Sequence, residues 1–243
     1  MTHTAATFET LSDLKEYIQA DESLAAIRRF AKEKLGETND PGHDISHCLR
    51  VAIFALRFAE GNCNIRNVIA AALLHDVINL PKDDPNSKNA SQLSAQVTRD
   101  FLAPLEFSLD DIEDIACAVR DHSYSRGAKP VSLLGEVIQD ADRIEALGML
   151  GIFRSISVGT QLTATFFHPH DPWAENRELD DKKYSIDHFF VKLSKLPEQM
   201  NTDMAKRLAY ERCASMVWMF EHLGEEIGHS WPYDPHQIYL SKS

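Results

Sequence analysis

The sequence predicts an all-α fold, a helical bundle with a helical C-terminal extension and room for one small hairpin. Apolar residues recur every three to four positions along almost the whole chain, the spacing of a helix with one buried face. Glycines follow several of these runs, at Gly36, Gly61 and Gly224, where a helix commonly stops. Strand signals are nearly absent. Only SISVGTQLTATFF, residues 155–167, is rich in β-branched residues, and a small hairpin is an option there alone.

Taken in order, Leu14, Ile18, Leu24, Ile27 and Phe30 mark one or two helices before Gly36. Val51, Phe54, Ala55 and Phe58 continue the pattern from about Ser46 until Gly61 and Asn62 end it. Val68 to Val77 follows after a short turn, so these two helices are expected to run antiparallel. Ser108 with Asp111 three residues on resembles a capping box, and Ile112, Ile115, Ala116 and Val119 carry an apolar face up to His122. Further helices are expected over about Leu133–Leu147, Ile186–Leu196 and Thr202–Leu223. The polar, proline-containing stretches 80–92, 123–132 and 168–184 read as loops. None is long or simple enough to separate independent domains. Residues 20–155 are therefore expected to form the core and 156–243 a helical extension packed on it, within one compact unit.

With 243 residues, 44% hydrophobic and 26% charged, the chain has the composition of an ordinary globular protein. A formal net charge of −12 argues against polymeric nucleic acid or an anionic membrane as partner, since both carry the same sign. Any phosphate-bearing ligand must be met locally by a few placed cations or a metal. Cys48, Cys63, Cys117 and Cys213 form no CxxC pair and lie in apolar helical runs, so they read as small reduced core residues rather than a zinc knot. The N-terminus has no basic start followed by an apolar stretch, and no run approaches about 18 apolar residues, so a cytoplasmic protein is expected.

The chemistry begins at LLHDVINL, residues 73–80, where His75 and Asp76 close an otherwise apolar run. Burying either group without a partner costs several kcal/mol. His47 lies near the start of the preceding helix, and QDADRIEALG, residues 139–148, brings Asp140 and Asp142 onto another apolar helix. One divalent cation accounts for all of these polar residues, because two imidazoles and two carboxylates make a mixed nitrogen and oxygen shell whose charges balance the ion. Adjacent helical residues point about 100° apart, so His75 and Asp76 reach one ion only at a helix end, which Pro81 marks. Asp140 and Asp142 point about 200° apart, so only one of them is a ligand; the other caps, or bonds a neighbour. Arg50, three residues past His47 on the same helical face, is placed to point at the pocket, its plainer alternative being a solvated surface arginine.

The order H…HD…D on helices resembles the HD superfamily of metal-dependent phosphohydrolases. HDISHCLRV at 43–51, AALLHDVINL at 71–80, VRDHSYS at 119–125 and QDADRIEALGMLGIFR at 139–154 resemble its bacterial YedJ-type branch. YSIDHFFVKL at 184–193 and MNTDMAKRLAYER at 200–212 are similar to the same branch, so the likeness spans roughly residues 20–225. It implies an HD-domain bundle with His47, His75, Asp76 and Asp142 as metal ligands, Asp142 being the acid in the string Ala141-Asp142-Arg143-Ile144. Ile144-Glu145 stands where the branch usually shows leucine and aspartate, and Asn79 where an acid is common; both departures bear on substrate preference.

The activity implied is hydrolysis of a small phosphate ester, with nucleotides leading, by attack of a metal-bound water. A binding or sensing module without turnover is the alternative. Asp76 and His75 would act at the reacting centre, with Arg50 and His122 as further catalytic groups. His43, Arg50, Lys88, His122 and Arg143 would contact substrate, and His122 could instead ligate a second metal. One ion is expected, manganese first, with magnesium, nickel, cobalt, iron and zinc as alternatives. Lys82, Arg126 and Lys129 lie on flanking loops with Lys88. His168, His170, His222, His229 and His236 are read as surface residues. The oligomeric state stays open between monomer and homodimer.

Overall fold

A computed structural model of the chain describes residues 8, 10–36, 42, 44–80, 84 and 87–233, the side chains of Ser87 and Ser125 apart. His43, Pro81, Lys82 and His236 lie outside the described residues. The fold is all-α. Among the described residues ten α-helices follow in order, α1 Leu11–Ala20, α2 Glu22–Gly36, α3 Ile45–Phe58, α4 Ile65–Leu74, α5 Ala90–Leu102, α6 Leu109–Asp121, α7 Leu133–Glu145, α8 Gly148–Gln161, α9 Asp187–Val191 and α10 Asp203–Ile227. Among the described residues the only β pairing is an isolated parallel bridge between Thr165 and Tyr184. Among the described residues no helix is long and apolar enough to cross a membrane. The chain divides into two compact units, residues 1–142 and 143–243.

In the first unit, α4 is the axis. Every residue from Asn67 to Leu74 is buried, and the helix packs against α2, α3, α5 and α6. A helix apolar all round belongs at the centre of a bundle. Side-chain caps set where its neighbours begin. The Asp44 carboxylate accepts the His47 N–H at 2.8 Å at the start of α3, and Asn64 caps α4 through the Arg66 N–H. At α6, Ser108 Oγ accepts the Asp111 N–H at 3.1 Å, while the Asp111 carboxylate takes the Ser108 hydroxyl at 2.6 Å. The reciprocal pairing expected there therefore closes through the hydroxyl. Gly135 on α7 admits the preceding turn: a Cβ there would lie 2.9 Å from Pro130 Cβ, whereas Ala118 Cα on α6, at 3.8 Å, is at ordinary contact distance.

In the second unit the helical pattern extends further than the sequence suggests. Residues 155–161, read as the start of a hairpin, are the last turns of α8, and the chain leaves the helix only near Thr163, at φ 61°. Strand propensity gives way because α8 has a face to bury, with Gly148, Gly151, Ile152 and Gly159 inside and α10 packed alongside. Gly224 does not stop α10. The helix continues to Ile227 and ends at Gly228, at φ 69° in the left-handed region. Gly224 instead admits the returning chain, since a Cβ there would lie 2.8 Å from the His229 carbonyl oxygen. The helix expected over 186–196 is shorter, α9 followed by 3₁₀ turns at 193–195 and 197–199. α5 was hidden by its many polar residues. Among the cysteines, Cys48 and Cys213 are buried, whereas Cys63 and Cys117 are half-buried and Cys63 lies in the turn before α4.

The long segment 166–184 is pinned. Trp173 is buried, donates its indole N–H to the His229 carbonyl at 2.7 Å and packs edge-on against Trp231. The Asp171 carboxylate accepts the N–H groups of Glu175 and Asn176, both at 2.9 Å. Arg177 forks onto the fully buried Asp187 at 2.5 and 2.7 Å and lies over the Tyr184 ring. Removing one partner of a buried ion pair leaves an uncompensated charge. Arg177→Met is therefore expected to lower stability by about 3–5 kcal/mol, read by urea denaturation; a loss below about 1 kcal/mol would mean that water reaches Asp187 and replaces the guanidinium.

Candidate metal centre

Two helices and two helix exits deliver the polar residues to one place in the first unit. α3 brings His47, held at its third position by the Asp44 cap. α4 ends on His75, with Asp76 next, and the segment beyond is fixed where the Ile78 N–H donates to the buried Ser94 hydroxyl at 3.1 Å. α6 ends on His122 and α7 carries Asp142.

The geometry is tight. His47 Nε2 and His75 Nε2 are 3.2 Å apart. One Asp142 oxygen lies 3.5 Å from His47 Nε2 and 4.0 Å from His75 Nε2. Asp76 lies between two imidazoles, one oxygen 3.4 Å from His75 Nε2 and the other 3.3 Å from His122 Nε2. Two triads of ligand atoms result, His47–His75–Asp142 and His75–Asp76–His122, sharing His75. Both fit a cation. The imidazoles form a floor, fully buried for His47 and His75, while the Asp76 and Asp142 side chains keep 19% and 22% of their surface open to solvent. The carboxylates are therefore the side from which a substrate would approach.

The tautomers follow from the backbone. His75 Nδ1 donates to the Ala72 carbonyl at 2.7 Å, and His122 Nδ1 to the Val119 carbonyl at 2.7 Å. A carbonyl can only accept, so each Nδ1 carries the proton and each Nε2 lone pair faces the cluster, the arrangement by which ligating histidines are oriented. Without a cation, protons take its place. Burial resists charging His75, but the Asp76 carboxylate beside it prevails and holds the imidazole well above its usual range. Burial likewise opposes ionisation of Asp76 and Asp142, yet His75 and His122 around the first and His47 at the second hold both carboxyls far below theirs. The neighbouring Cys48 thiol, pushed up by burial, stays neutral.

Other predicted residues are placed differently. Arg50 is half-buried on α3, one turn beyond His47, and Lys88 is exposed on a 3₁₀ turn at 87–89. Arg143 directs its guanidinium to the Gln199 carbonyl. Asp140 is fully buried and belongs to neither triad, as expected of the acid turned about 200° from Asp142. Sequence reading passed over Asp44, although an acid three residues before a helical histidine is a cap signal. It also passed over Gln139, whose bonds to backbone leave no sequence trace.

Comparison with known proteins follows this geometry. Residues 44–147, which span the whole cluster, match the HD domain family. The Bacillus subtilis protein YpgQ is 30% identical over 217 residues, covering 88% of this chain and 96% of its own length. Its crystal structure in complex with ADP superposes with a TM-score of 0.66 at 29% identity, over 84% of this chain and 95% of that one. A Lactobacillus plantarum structure reaches 0.64 at 31% identity, over 83% and 95%. A Bacillus thuringiensis HD-superfamily hydrolase reaches 0.63 at 26% identity, over 88% and 98%. With its histidines and aspartates gathered as described and its likeness running through nearly the full length of these relatives, this chain belongs to the HD superfamily of hydrolases.

Proposed function

We propose that the chain is a cytoplasmic, metal-dependent phosphohydrolase that cleaves a small phosphate ester, with nucleotides as its substrate class and manganese as its ion. The observation that supports this reading is the meeting of His47, His75, Asp76, His122 and Asp142, three imidazoles and two carboxylates whose ligand atoms face one another. The ADP bound by YpgQ supports a nucleotide. His47, His75, Asp76 and Asp142 would hold the cation. When bound, a divalent cation brings the pKa of a water towards neutrality and polarises a phosphoryl oxygen.

The chain's own residues do the rest. Asp76, on the open side and flanked by two imidazoles, orients the attacking water and takes its proton at a carboxylate oxygen. His122 Nε2, 3.3 Å away, is the next acceptor or the donor to the leaving group. Arg50 and Lys88 offer charge to the phosphate, with Arg143 beyond Asp142, against a net charge of −12 that repels anions at long range.

Metal-stripped protein reloaded with Mn²⁺ is expected to release phosphate or pyrophosphate from members of a nucleotide panel. His75→Ala should lower the rate by about a hundredfold or more, the scale of losing a charge-stabilising group. Nucleotide bound in a metal-dependent way without turnover would favour a sensing module instead.

The protonation states give a second expectation. The raised His75 imidazole stabilises the metal-free protein below its unfolded pKa and loses that contribution as pH rises through the folded one. The depressed Asp76 and Asp142 contribute above the usual carboxylate range and lose it only in acid. Ligation needs His75 Nε2 unprotonated, so protons compete with the ion. The gain in Tm from Mn²⁺ over chelator should therefore grow steadily from pH 6 to pH 8. A pH-independent gain would place the ion elsewhere.

A further inference from the structure

We infer that Gln139 is a positioning residue for the metal centre, fixing where His122 stands relative to Asp142. At the end of α6 side chains donate to three consecutive carbonyls. His122 Nδ1 donates to Val119 at 2.7 Å, Arg126 to Arg120 at 3.2 Å and Gln139 Nε2 to Asp121 at 2.8 Å. A helix C-terminus leaves its last carbonyls without intrahelical partners, and whatever satisfies them sets the direction of the chain that follows. Here that chain begins with His122.

Gln139 differs from the other two donors because it comes from another helix. It lies on α7, buried, one turn before Asp142. Its amide nitrogen carries two hydrogens, and it also donates to the Ala128 carbonyl at 3.1 Å, across the loop that follows His122. Both ends of the 122–128 turn are thus tied to the helix that carries Asp142. Within the turn, Gly127 takes the left-handed conformation, at φ 60°, and donates to the Tyr124 carbonyl at 3.1 Å. His122 belongs to one triad and Asp142 to the other, and the two share only His75. His122 Nε2 lies 3.3 Å from an oxygen of the ligand Asp76, so a glutamine bonded at both ends of the turn is the brace that sets how His122 orients that ligand. An apolar residue of equal length would fill the space but take the donor from the buried Asp121 carbonyl and from the part-buried Ala128 carbonyl, and the turn would move to find water.

This inference rests on the cluster holding a metal, not on the reaction it performs. The test is calorimetric titration of the chelator-stripped full chain with MnCl₂, for the native protein, Gln139→Leu, His122→Ala and the double variant. Gln139→Leu is expected to weaken Mn²⁺ binding about 10–100-fold, the range for residues that orient ligands. In the His122→Ala background the same substitution should cost less than about twofold. If Gln139→Leu does not fold, Gln139→Asn, which keeps the amide and shortens its reach, is carried through the same cycle. Equal loss in both backgrounds, or none in either, would overturn the inference while leaving the metal reading intact. Absence of Mn²⁺ binding by the native chain would overturn the metal reading, and this inference with it.

Discussion

Imidazole nitrogens and carboxylate oxygens converge at the centre of the first unit. His47 Nε2 and His75 Nε2 approach to 3.2 Å, and the carboxylates of Asp76 and Asp142 close on the same imidazoles. Because His75 and His122 have committed their Nδ1 protons to backbone carbonyls, few donors remain for many acceptors. Either extra protons or a cation must fill the centre, and the low dielectric around His47 and His75 makes leaving it unfilled costly. Much of the surrounding architecture serves this constraint. α4 is apolar on every face, which carries its C-terminal histidine into the core. Asp44 fixes the first turn of α3, and Ser94 holds the chain just past Asp76.

Most of this arrangement was legible in the sequence because it interrupts an otherwise regular pattern. A polar pair after seven apolar residues, Val68 to Leu74, has no reason to be there unless it is used, so His75 and Asp76 stand out. Helical rotation alone separates Asp140 from Asp142, and the structure keeps them apart, with only Asp142 in a triad. His122 was visible as the last residue of the α6 pattern, though its closeness to Asp76 was not, since that depends on how α6 ends. Gln139 left no trace because it bonds carbonyls, which every residue has. The errors have a common physical origin. Residues 155–161 and Gly224 were read by local propensity, a matter of tenths of a kcal/mol for β-branched residues and about 1 for glycine, whereas the packing of α8 against α10 and the return of the chain over Gly224 decided the outcome.

The donor set also bears on which ion the site can prefer. Cys48 lies beside His75 but belongs to neither triad, so the donors gathered there are nitrogen and oxygen. Such a shell suits several first-row divalent ions, and preference among them falls to geometry and availability. Geometry here means the distances between α3, the end of α4, the end of α6 and α7. Two carboxylates would offset the charge of a two-plus ion, so on the proposed reading a phosphate would be met by the ion and nearby side-chain cations and not by a net positive field. In a chain of net charge −12, and with screening over about 8–10 Å, that attraction acts only at close range. On that reading ligand spacing would govern both the choice of ion and the capture of the phosphate, and the bracing of the helix ends would be part of the chemistry.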